Sequence, residues 1–371
     1  MRISIDATGL GGVKTGTAVY LTEILQVWDQ CPDIAHEFII FASPRASAYL
    51  KALGLDRRFK FIDAPDSRVI RIFWQQLVMP WHMTTLGVDV HWGCGFVLPV
   101  LSRRRMVVTI YDLTFQLFPA VHERVKRYYF PAMISAAVRK AKRVIAISES
   151  TRDDLNRLLP ASRGKTDVTL LAPRAMPRTG AVSEPISAAL AGSSGYLMCL
   201  GTLEPRKNLR RLLDAWLDID HADRSGIKLV VVGVRGWMME QLAPRHRTVD
   251  DSVVFTGFLD DADLSRLMRG AMALAYPSLY EGFGLPVLEA MSQGVPVLTG
   301  NIGATREISG AAALLVDATD VQSIKTALLQ LLKDAALRER LSALGKAHAA
   351  RYSWKETARQ TLAILEGAAA L

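Results

Sequence analysis

The sequence predicts an α/β protein with two domains, each built on a parallel β-sheet. Short apolar runs alternate with longer stretches of helical periodicity through the whole chain. Near the middle, residues 172–194 are rich in Pro, Gly, Ala and Ser and have no strong period, and the alternation starts again after them. A chain of 371 residues is long enough for two ordinary domains.

The apolar runs have the length and composition of buried strands. In the first half they are residues 2–6, 37–41, 59–62, 88–92, 106–110 and 143–147. In the second half they are residues 196–200, 228–232, 252–255, 272–276, 295–299 and 313–316. Strands separated by helices form parallel sheets through right-handed βαβ units, and about a dozen of them fit two sheets better than one.

These patterns predict an N-terminal domain over residues 1–173, a C-terminal domain over 174–352 and a final segment over 353–371. The final segment has apolar residues at helical spacing from Trp354 to Leu365, and we expect this helix to pack back on the N-terminal domain. Ligands of open α/β sheets bind beyond the C-terminal ends of the strands. Loops from both domains are therefore expected to line one cleft.

The composition is that of a globular protein, with 50% hydrophobic and 22% charged residues. No apolar run reaches the length of a membrane span. The opening residues MRISIDATGL do not resemble an export signal, which predicts a cytoplasmic location. No Cys and His residues have metal-ligand spacing, so we expect neither a metal nor another cofactor.

The net charge of +9 is concentrated in the first half of the chain. Residues 1–180 hold 25 Lys and Arg against 15 Asp and Glu, with clusters at 103–105 and 124–127. Such a surface is either a solvated basic face or a docking face for an anionic partner, a membrane leaflet or a phosphorylated acceptor. Nucleic acid is the weaker interpretation, because no aromatic residues interleave the charges and no known motif is present.

The first motif is a glycine-rich loop, GLGGVKTG over residues 9–16, between the strand ending at Asp6 and a helix predicted from about Thr17. Glycines at such a junction let backbone N–H groups approach an anion at the helix start. The spacing matches neither the dinucleotide fingerprint nor a Walker loop. A turn without any ligand is an equally good interpretation of this segment.

The second motif, GTLEPRKNL over residues 201–209, also follows a strand. A helix is predicted from Asn208, with Arg206 and Lys207 in or near its first turn. Cations at a helix start are unfavourable unless an anion lies there as well. An Arg fork and a Lys charge beside free N–H groups would bind a diphosphate, whereas the alternative is an exposed basic loop.

The third motif, PSLYEGFGLPVLEAM over residues 277–291, places a Gly-containing loop between a strand and a helix predicted from Leu285. Pro286 suits the first helical turn. Glu281 lies in the loop and Glu289 about one turn into the helix. Buried carboxylates here are expected to be ionised and to accept hydrogen bonds from hydroxyl groups. Glu289 taken alone would be an ordinary acid that stabilises the helix dipole.

These segments resemble the family 4 glycosyltransferases. SLYEGFGLPVLEAMSQGVPVLTGN resembles the family signature, and GTLEPRKNL resembles its phosphate-binding segment. VVGVRGW and VVFTGFLDDADLSRLMRGA resemble the blocks between them, and RIFWQQLVMPWHMTTLGVDVHW, RVIAISESTRDDL and SWKETARQTL match elsewhere. The resemblance covers nearly the whole chain in the right order.

The resemblance implies the GT-B fold, in which two Rossmann-like domains with parallel sheets face a central cleft. It implies an acceptor-side N-terminal domain and a C-terminal domain that binds a nucleotide sugar, with retention of anomeric configuration and no metal. By the same resemblance Glu289 would hold the ribose hydroxyls, and Glu281 would contact the C3 and C4 hydroxyls of the donor sugar. Arg206 and Lys207 would neutralise the diphosphate.

The resemblance also implies backbone contacts. The donors in the loop before the helix would be Gly282, Phe283, Gly284 and Leu285. Gly257 and Phe258 would flank the nucleobase, and Gly12 and Gly16 would close over the diphosphate.

Two positions depart from the family pattern. Tyr111 stands before Asp112 where many members have a His that touches the donor sugar, and Thr202 stands where some have an Arg. We include Tyr111 and Asp112 among the substrate-binding residues, because a tyrosine hydroxyl hydrogen-bonds to sugar hydroxyls. Thr202 leaves Arg206 and Lys207 as the main cations.

Within the family, GTLEPRKNL together with a DLTF block is most similar to bacterial mannosyl- and rhamnosyltransferases of surface-polysaccharide assembly. This subgroup implies GDP-mannose as donor, a lipid-diphosphate-linked acceptor and a peripheral position on the inner face of the cytoplasmic membrane. The alternatives are a UDP-sugar donor, a sugar-nucleotide epimerase of the same fold, and a degenerate transferase fold that serves as a binding subunit.

Overall fold

The computed structural model describes residues 1–10, 15–119, 124–176, 183–201, 204–233 and 251–371. These residues form two compact units. Unit 1 comprises Met1–Leu171 and Ser353–Leu371, and unit 2 comprises Ala172–Tyr352. The boundary near the middle of the chain thus follows Leu171, and the final segment belongs to unit 1.

Unit 1 is built on one parallel sheet. Its strands are β1 (Arg2–Asp6), β2 (Glu37–Ala42), β3 (Phe59–Asp63), β4 (Val90–Gly93), β5 (Arg105–Ile110), β6 (Arg143–Ala146) and β7 (Thr166–Val168). They lie in the order β3-β2-β1-β4-β5-β6-β7. In the central strand, Ile3 pairs with Phe38 on one side and Val90 on the other. Ile3 and Ile5 are fully buried, as expected for a strand covered on both faces.

Helices cover both faces of this sheet. They are α1 (Gly16–Asp29), α2 (Pro44–Ala52), α3 (Arg68–Thr85), α4 (Thr114–Leu117), α5 (Arg124–Lys140), α6 (Glu149–Leu158) and the C-terminal helix (Trp354–Ala370). The C-terminal helix is bonded to unit 1, because Trp28 Nε1 donates to the Ala358 carbonyl at 3.1 Å and Thr357 donates to the Leu170 carbonyl.

Unit 2 has a second parallel sheet. Its strands are β8 (Gly195–Leu200), β9 (Ile227–Val232), β10 (Val253–Gly257), β11 (Ala273–Tyr276), β12 (Val297–Gly300) and β13 (Leu314–Val316). They lie in the order β10-β9-β8-β11-β12-β13. The strands of both sheets alternate with helices, as βαβ units require.

The helices of unit 2 enclose its own hydrophobic core. They are α7 (Glu184–Leu190), α8 (Leu209–Leu217), α9 (His221–Arg224), α10 (Asp261–Gly270), α11 (Leu285–Ser292), α12 (Gly303–Ser309), α13 (Val321–Lys333) and α14 (Ala335–Ala349). Helix α8 buries Leu209, Leu212, Leu213 and Trp216, which follow helical spacing, against this core.

The predicted strands are confirmed to within two residues at each end. Among the described residues, one strand and one helix that the sequence did not predict are β7 and α7. Strand β7 was missed because its three residues, Thr-Asp-Val, carry little apolar signal. Helix α7 was missed because it lies in the segment 172–194, whose composition indicates a linker. In the described part of the chain, no helix is both long and apolar enough to span a bilayer.

Candidate active site

Each sheet has a point at which the order of strands reverses. In unit 2, β8 leads to β9 and β10 on one side, whereas β11 leads to β12 and β13 on the other. The carboxyl ends of β8 and β11 therefore flank the reversal point, where open α/β sheets bind their ligands. In unit 1 the carboxyl ends of β1 and β4 flank the equivalent point.

The loop after β8 holds Arg206 and Lys207 in a short 3-10 turn, Pro205–Lys207. Asn208 follows in the left-handed conformation, with φ of 61°, which asparagine tolerates better than most residues. Its side-chain nitrogen donates to the carbonyls of Pro277 at 3.0 Å and Ala318 at 2.6 Å. Helix α8 therefore begins one residue later than predicted, and the two cations lie in the turn before it.

Gly201 leaves room for the Lys207 side chain. Its φ of 142° lies in the region that favours glycine. A Cβ atom at this position would lie 3.3 Å from Lys207 Cε. A larger residue at 201 would therefore crowd the path of Lys207 to the reversal point.

Arg206, Lys207 and Glu281 meet in one buried cluster. Lys207 Nζ donates to Glu281 Oε1 at 2.7 Å, and Arg206 Nη1 donates to Glu281 Oε2 at 2.8 Å. The Tyr276 hydroxyl donates to Glu281 Oε1 at 2.9 Å, and Arg206 Nε donates to Glu204 at 2.8 Å. The structure thus brings together the three residues predicted to act on the diphosphate and the sugar.

Hydrogen bonding between the two loops holds this cluster in place. The Leu279 N–H donates to the Arg206 carbonyl at 2.7 Å, and Asn208 spans to Pro277. Strands β8 and β11 are neighbours, so their following loops lie side by side. The meeting of residues some 75 positions apart is therefore a consequence of strand order.

The cluster keeps Glu281 ionised. Burial disfavours its charge, but Lys207 and Arg206 outweigh burial and lower the pKa of Glu281 to about 2. Burial lowers the pKa of Lys207, and the charge of Glu281 opposes that shift. Burial raises the pKa of Tyr276 well above its ordinary value, so its hydroxyl stays protonated and donates. Two cations, Arg206 and Lys207, are thus held in direct contact with one ionised carboxylate, Glu281.

The loop after β11 ends at helix α11, which begins at Leu285 as predicted. Gly284 precedes it with φ of 98°, a conformation that a side chain would strain, and Pro286 occupies the first turn. Phe283 is buried, with its ring 6.4 Å from that of Tyr352. Backbone N–H groups at a helix start have no partner within the helix, which suits oxygen atoms of a ligand.

Glu289 lies apart from the cation cluster and has a partner that the sequence did not suggest. Arg174 Nε donates to Glu289 Oε1, and Arg174 Nη1 donates to Asp261 Oδ1 at 3.1 Å. Glu289 is almost fully buried, and burial raises its pKa even though Arg174 opposes the shift. The two carboxylates therefore differ, because paired cations lower the pKa of Glu281 whereas burial raises that of Glu289, and Glu289 remains in an ion pair with Arg174.

Gly257 and Phe258 lie at the end of β10, an edge strand of unit 2. Gly257 has φ of 72°, and its carbonyl accepts from the Gly233 N–H at 3.0 Å. The Phe258 side chain is 70% exposed. An exposed ring is available for stacking on a base, so the predicted nucleobase contact stays a prediction with compatible geometry.

Unit 1 has a cavity of about 440 Å³ at its own reversal point, with Gly9, Leu10, Gln75, Cys94 and Phe96 among its lining. Asp6, at the end of β1, also faces this cavity. Its Oδ1 accepts from the Thr8 N–H at 2.9 Å and the Thr8 hydroxyl at 2.6 Å, and Gln75 donates to Oδ2. Three residues of the predicted glycine-rich loop, Gly9, Leu10 and Thr15, therefore line this cavity.

The other predicted residues of unit 1 that the structure describes are either exposed or hydrogen-bonded within the unit. Gly16 is the first residue of α1 and is exposed, whereas Gly12 lies outside the described residues. The buried Tyr111 hydroxyl donates to the Cys94 carbonyl at 2.7 Å, and Asp112 Oδ1 accepts from Thr114 N at 3.0 Å. Tyr111 and Asp112 thus make structural bonds, and their role as sugar contacts stays a prediction.

Sequence reasoning missed Arg174, Tyr276 and Asn208. Arg174 gives no signal in the sequence, because its partner Glu289 is 115 positions away. Tyr276 looks like an ordinary strand residue, and Asn208 like a helix residue.

Within the described ranges, no group of three or more His, Cys, Asp or Glu side chains has the arrangement of a metal site.

Solved structures with the same architecture define the fold. WaaG, a glycosyltransferase of lipopolysaccharide biosynthesis, superposes with a TM-score of 0.73 at 17% identity, covering 98% of this chain and 100% of WaaG. HepE of Anabaena, solved with UDP and glucose, gives 0.72 at 17% identity, covering 99% and 100%. The fold is the GT-B fold of glycosyltransferases, as predicted.

The family follows from sequence. The family of glycosyl transferases group 1 matches residues 185–348. O-antigen chain mannosyltransferase B of Escherichia coli is 34% identical over 288 residues, which cover 76% of this chain and 75% of that protein. The chain belongs to the glycosyl transferases of group 1, and the predicted glycosyltransferase family is confirmed.

Proposed function

We propose that this glycosyltransferase transfers mannose from GDP-mannose to a saccharide acceptor during polysaccharide biosynthesis, with retention of anomeric configuration and without a metal. The cluster of Arg206, Lys207 and Glu281 at the strand reversal point of unit 2 is the observation that carries this proposal. The similarity to an O-antigen mannosyltransferase over three quarters of the chain supports mannose as the sugar.

The chemistry follows from the charges of the cluster. As the bond between the anomeric carbon and the diphosphate oxygen breaks, negative charge develops on the diphosphate. Arg206 and Lys207 are fixed cations, and the N–H groups at the start of α11 add partial positive charge. The acceptor hydroxyl oxygen forms the new bond to the anomeric carbon on the face that the diphosphate leaves, and the hydroxyl proton passes to the departing diphosphate oxygen.

The carboxylates hold the donor rather than react with it. Glu281 is ionised and accepts hydrogen bonds, so it is suited to hydroxyls of the donor sugar once the donor oxygens share its cations. Glu289 is proposed to bind the ribose hydroxyls, in competition with Arg174. Phe258 is proposed to stack on the base, and the unit 1 cavity to take the acceptor.

The acceptor is proposed to be a lipid-diphosphate-linked saccharide, which places the enzyme on the cytoplasmic side of a membrane as a peripheral protein. The basic excess of residues 1–180 supports an anionic acceptor, because opposite charge raises the local concentration of a phosphorylated substrate. In this proposal the nucleotide sugar comes from the cytoplasm and the lipid-linked acceptor is held in the membrane.

Ligand-dependent thermal stabilisation tests the donor. A ligand that binds only the folded state raises the unfolding temperature, so GDP and GDP-mannose should stabilise the protein more than UDP and UDP-glucose. Preference for UDP-sugars would replace the donor proposal with the UDP-dependent alternative. Release of nucleotide with an altered sugar and without acceptor would indicate an epimerase. The anomeric configuration of the product, measured by NMR, tests retention.

A further inference from the structure

Helix α3 (Arg68–Thr85) presents an apolar face to solvent. Along this face the side chains of Ile70, Phe73, Leu77 and Trp81 are between 58% and 63% exposed. Val69 and Val78 are exposed beside them. Single exposed apolar residues are ordinary, but a continuous row along a helix indicates an interaction surface.

The opposite face fixes this helix to unit 1. Met79 and Met83 are fully buried in the core, and Gln75 donates to Asp6. Gln76 donates to the Leu98 carbonyl at 3.0 Å. The inner face therefore includes polar side chains that make specific bonds, whereas the outer face is aliphatic and aromatic. A surface helix normally has the reverse arrangement.

Basic residues flank both ends of the apolar row. Arg68 lies at the start of α3 and is exposed, and Arg71, one turn further, is half-buried; both also line the unit 1 cavity. At the other end, the loop carrying Leu101, Arg103 and Arg104 lies beside Trp81, and together they line a groove of about 560 Å³. The Arg104 guanidinium donates to the Thr84 carbonyl at 3.2 Å, which holds this loop against the helix.

Acidic residues are absent from the same stretches of sequence. Residues 67–88 and 90–111 contain no Asp or Glu. The surface therefore combines arginines with an apolar row that ends in a tryptophan. The row from Val69 to Trp81 extends about 18 Å along helix α3.

We infer that the apolar face of α3, residues 69–81, with the arginines at its two ends, docks on the surface of an anionic lipid bilayer. The helix lies in the plane of the interface, with Phe73, Leu77 and Trp81 among the acyl chains and the arginines at the phosphate headgroups. This inference deepens the proposed function, since a lipid-linked acceptor is held in that same bilayer. Charge favours a bilayer over a second copy of the chain, because two copies would bring the arginines together.

Flotation with vesicles tests the inference. Purified full-length protein should float at low salt with vesicles of equal parts phosphatidylglycerol and phosphatidylcholine, and remain behind with phosphatidylcholine alone. Changing Phe73, Leu77 and Trp81 together to Ser should lower the partition coefficient at least about a hundredfold. Arg103→Ser with Arg104→Ser should lower it about thirtyfold at low salt, and less at high salt.

Matched controls separate this surface from general stickiness. Arg340→Ser with Leu344→Ser removes an exposed cation and an exposed apolar residue of α14, and should float like the wild type. Trp81→Phe should still float but should lose most of the blue shift in tryptophan fluorescence that vesicles cause in the wild type. Unchanged unfolding temperatures would show that the α3 variants fold.

Three results would overturn the inference. They are a wild type that ignores anionic vesicles at low salt, a triple Ser variant that floats normally, and a wild-type dimer that this variant converts to a monomer. A water-soluble acceptor with a short lipid chain separates the two proposals, because the α3 variants should glycosylate it at the wild-type rate. A wild type that floats but neither binds sugar nucleotides nor transfers sugar would refute the proposed function alone.

Discussion

Lys207 is the side chain on which the transfer chemistry depends most directly. Its ammonium group lies 2.7 Å from Glu281 and 4.8 Å from the centre of the Tyr276 ring, in an almost buried position. Lys207→Ala should lower the rate of transfer by about 10²- to 10³-fold, because a preorganised positive charge is removed from the leaving group. Steady-state kinetics should show the loss chiefly in kcat.

Lys333→Ala provides the matched control, since Lys333 is an exposed lysine of unit 2 that pairs with Asp223. Its kinetics should match those of the wild type. A Lys207→Ala enzyme with normal turnover would remove Lys207 from the proposed site.

Glu281 and Glu289 should have separable effects on binding, because they occupy different positions and have different partners. Glu289→Ala should weaken free GDP about 10- to 150-fold, which corresponds to the loss of a charged hydrogen bond. Glu281→Ala should leave free GDP nearly unchanged and weaken GDP-mannose. Calorimetric titration of both variants with both ligands measures this, and equal losses on GDP would refute the division.

The low pKa of Glu281 predicts a pH dependence of stability. Its folded pKa of about 2 lies below its ordinary value of 4.5, so its contribution is complete above the ordinary value and is lost as the pH falls towards 2. The contribution amounts to at most about 3 kcal/mol. The stability difference between wild type and Glu281→Gln should therefore shrink from pH 5 downwards.

Urea unfolding between pH 7 and pH 3 measures this difference. Glu339→Gln, which changes an exposed carboxylate of unit 2, is the control and should change little. A constant difference between wild type and Glu281→Gln over this range would contradict the assignment.

The turn between β8 and α8 aligns both cations, and Asn208 fixes the turn. Asn208→Ala loses two hydrogen bonds to backbone carbonyls and strains a left-handed residue. We expect a loss of about 2–4 kcal/mol in the free energy of unfolding, together with a raised KM for the donor. Glycine adopts the left-handed conformation without strain, so Asn208→Gly should lower the free energy of unfolding by less than Asn208→Ala. Equal losses in the Ala and Gly variants would show that backbone conformation is unimportant here.

The molecule as a whole should transfer sugar without a divalent metal. Arg206 and Lys207 are proposed to provide the positive charge that the diphosphate requires. Transfer should continue at an undiminished rate in excess EDTA after metal-free purification. Loss of activity that only Mg²⁺ or Mn²⁺ restores would contradict the proposed mechanism. A known metal-dependent glycosyltransferase assayed in parallel controls for the chelation.

Much of this protein was predictable because its signals are local. Strand runs such as residues 2–6 and 228–232 are short and apolar, and βαβ alternation then dictates parallel sheets. The candidate site residues Arg206, Lys207, Glu281 and Glu289 were predicted from motifs at strand–helix junctions. Local composition also predicted a domain boundary after residue 173, and the two units divide after Leu171.

Long-range partners were decided by the tertiary structure alone. Arg174 bonds to Glu289 because the fold joins positions 115 residues apart, and burial then raises the pKa of Glu289. The apolar row on α3 has a helical period, which predicts a helix but cannot tell an inner face from an outer one. Which face meets solvent depends on packing of the whole unit, because burial is a property of neighbours distant in sequence.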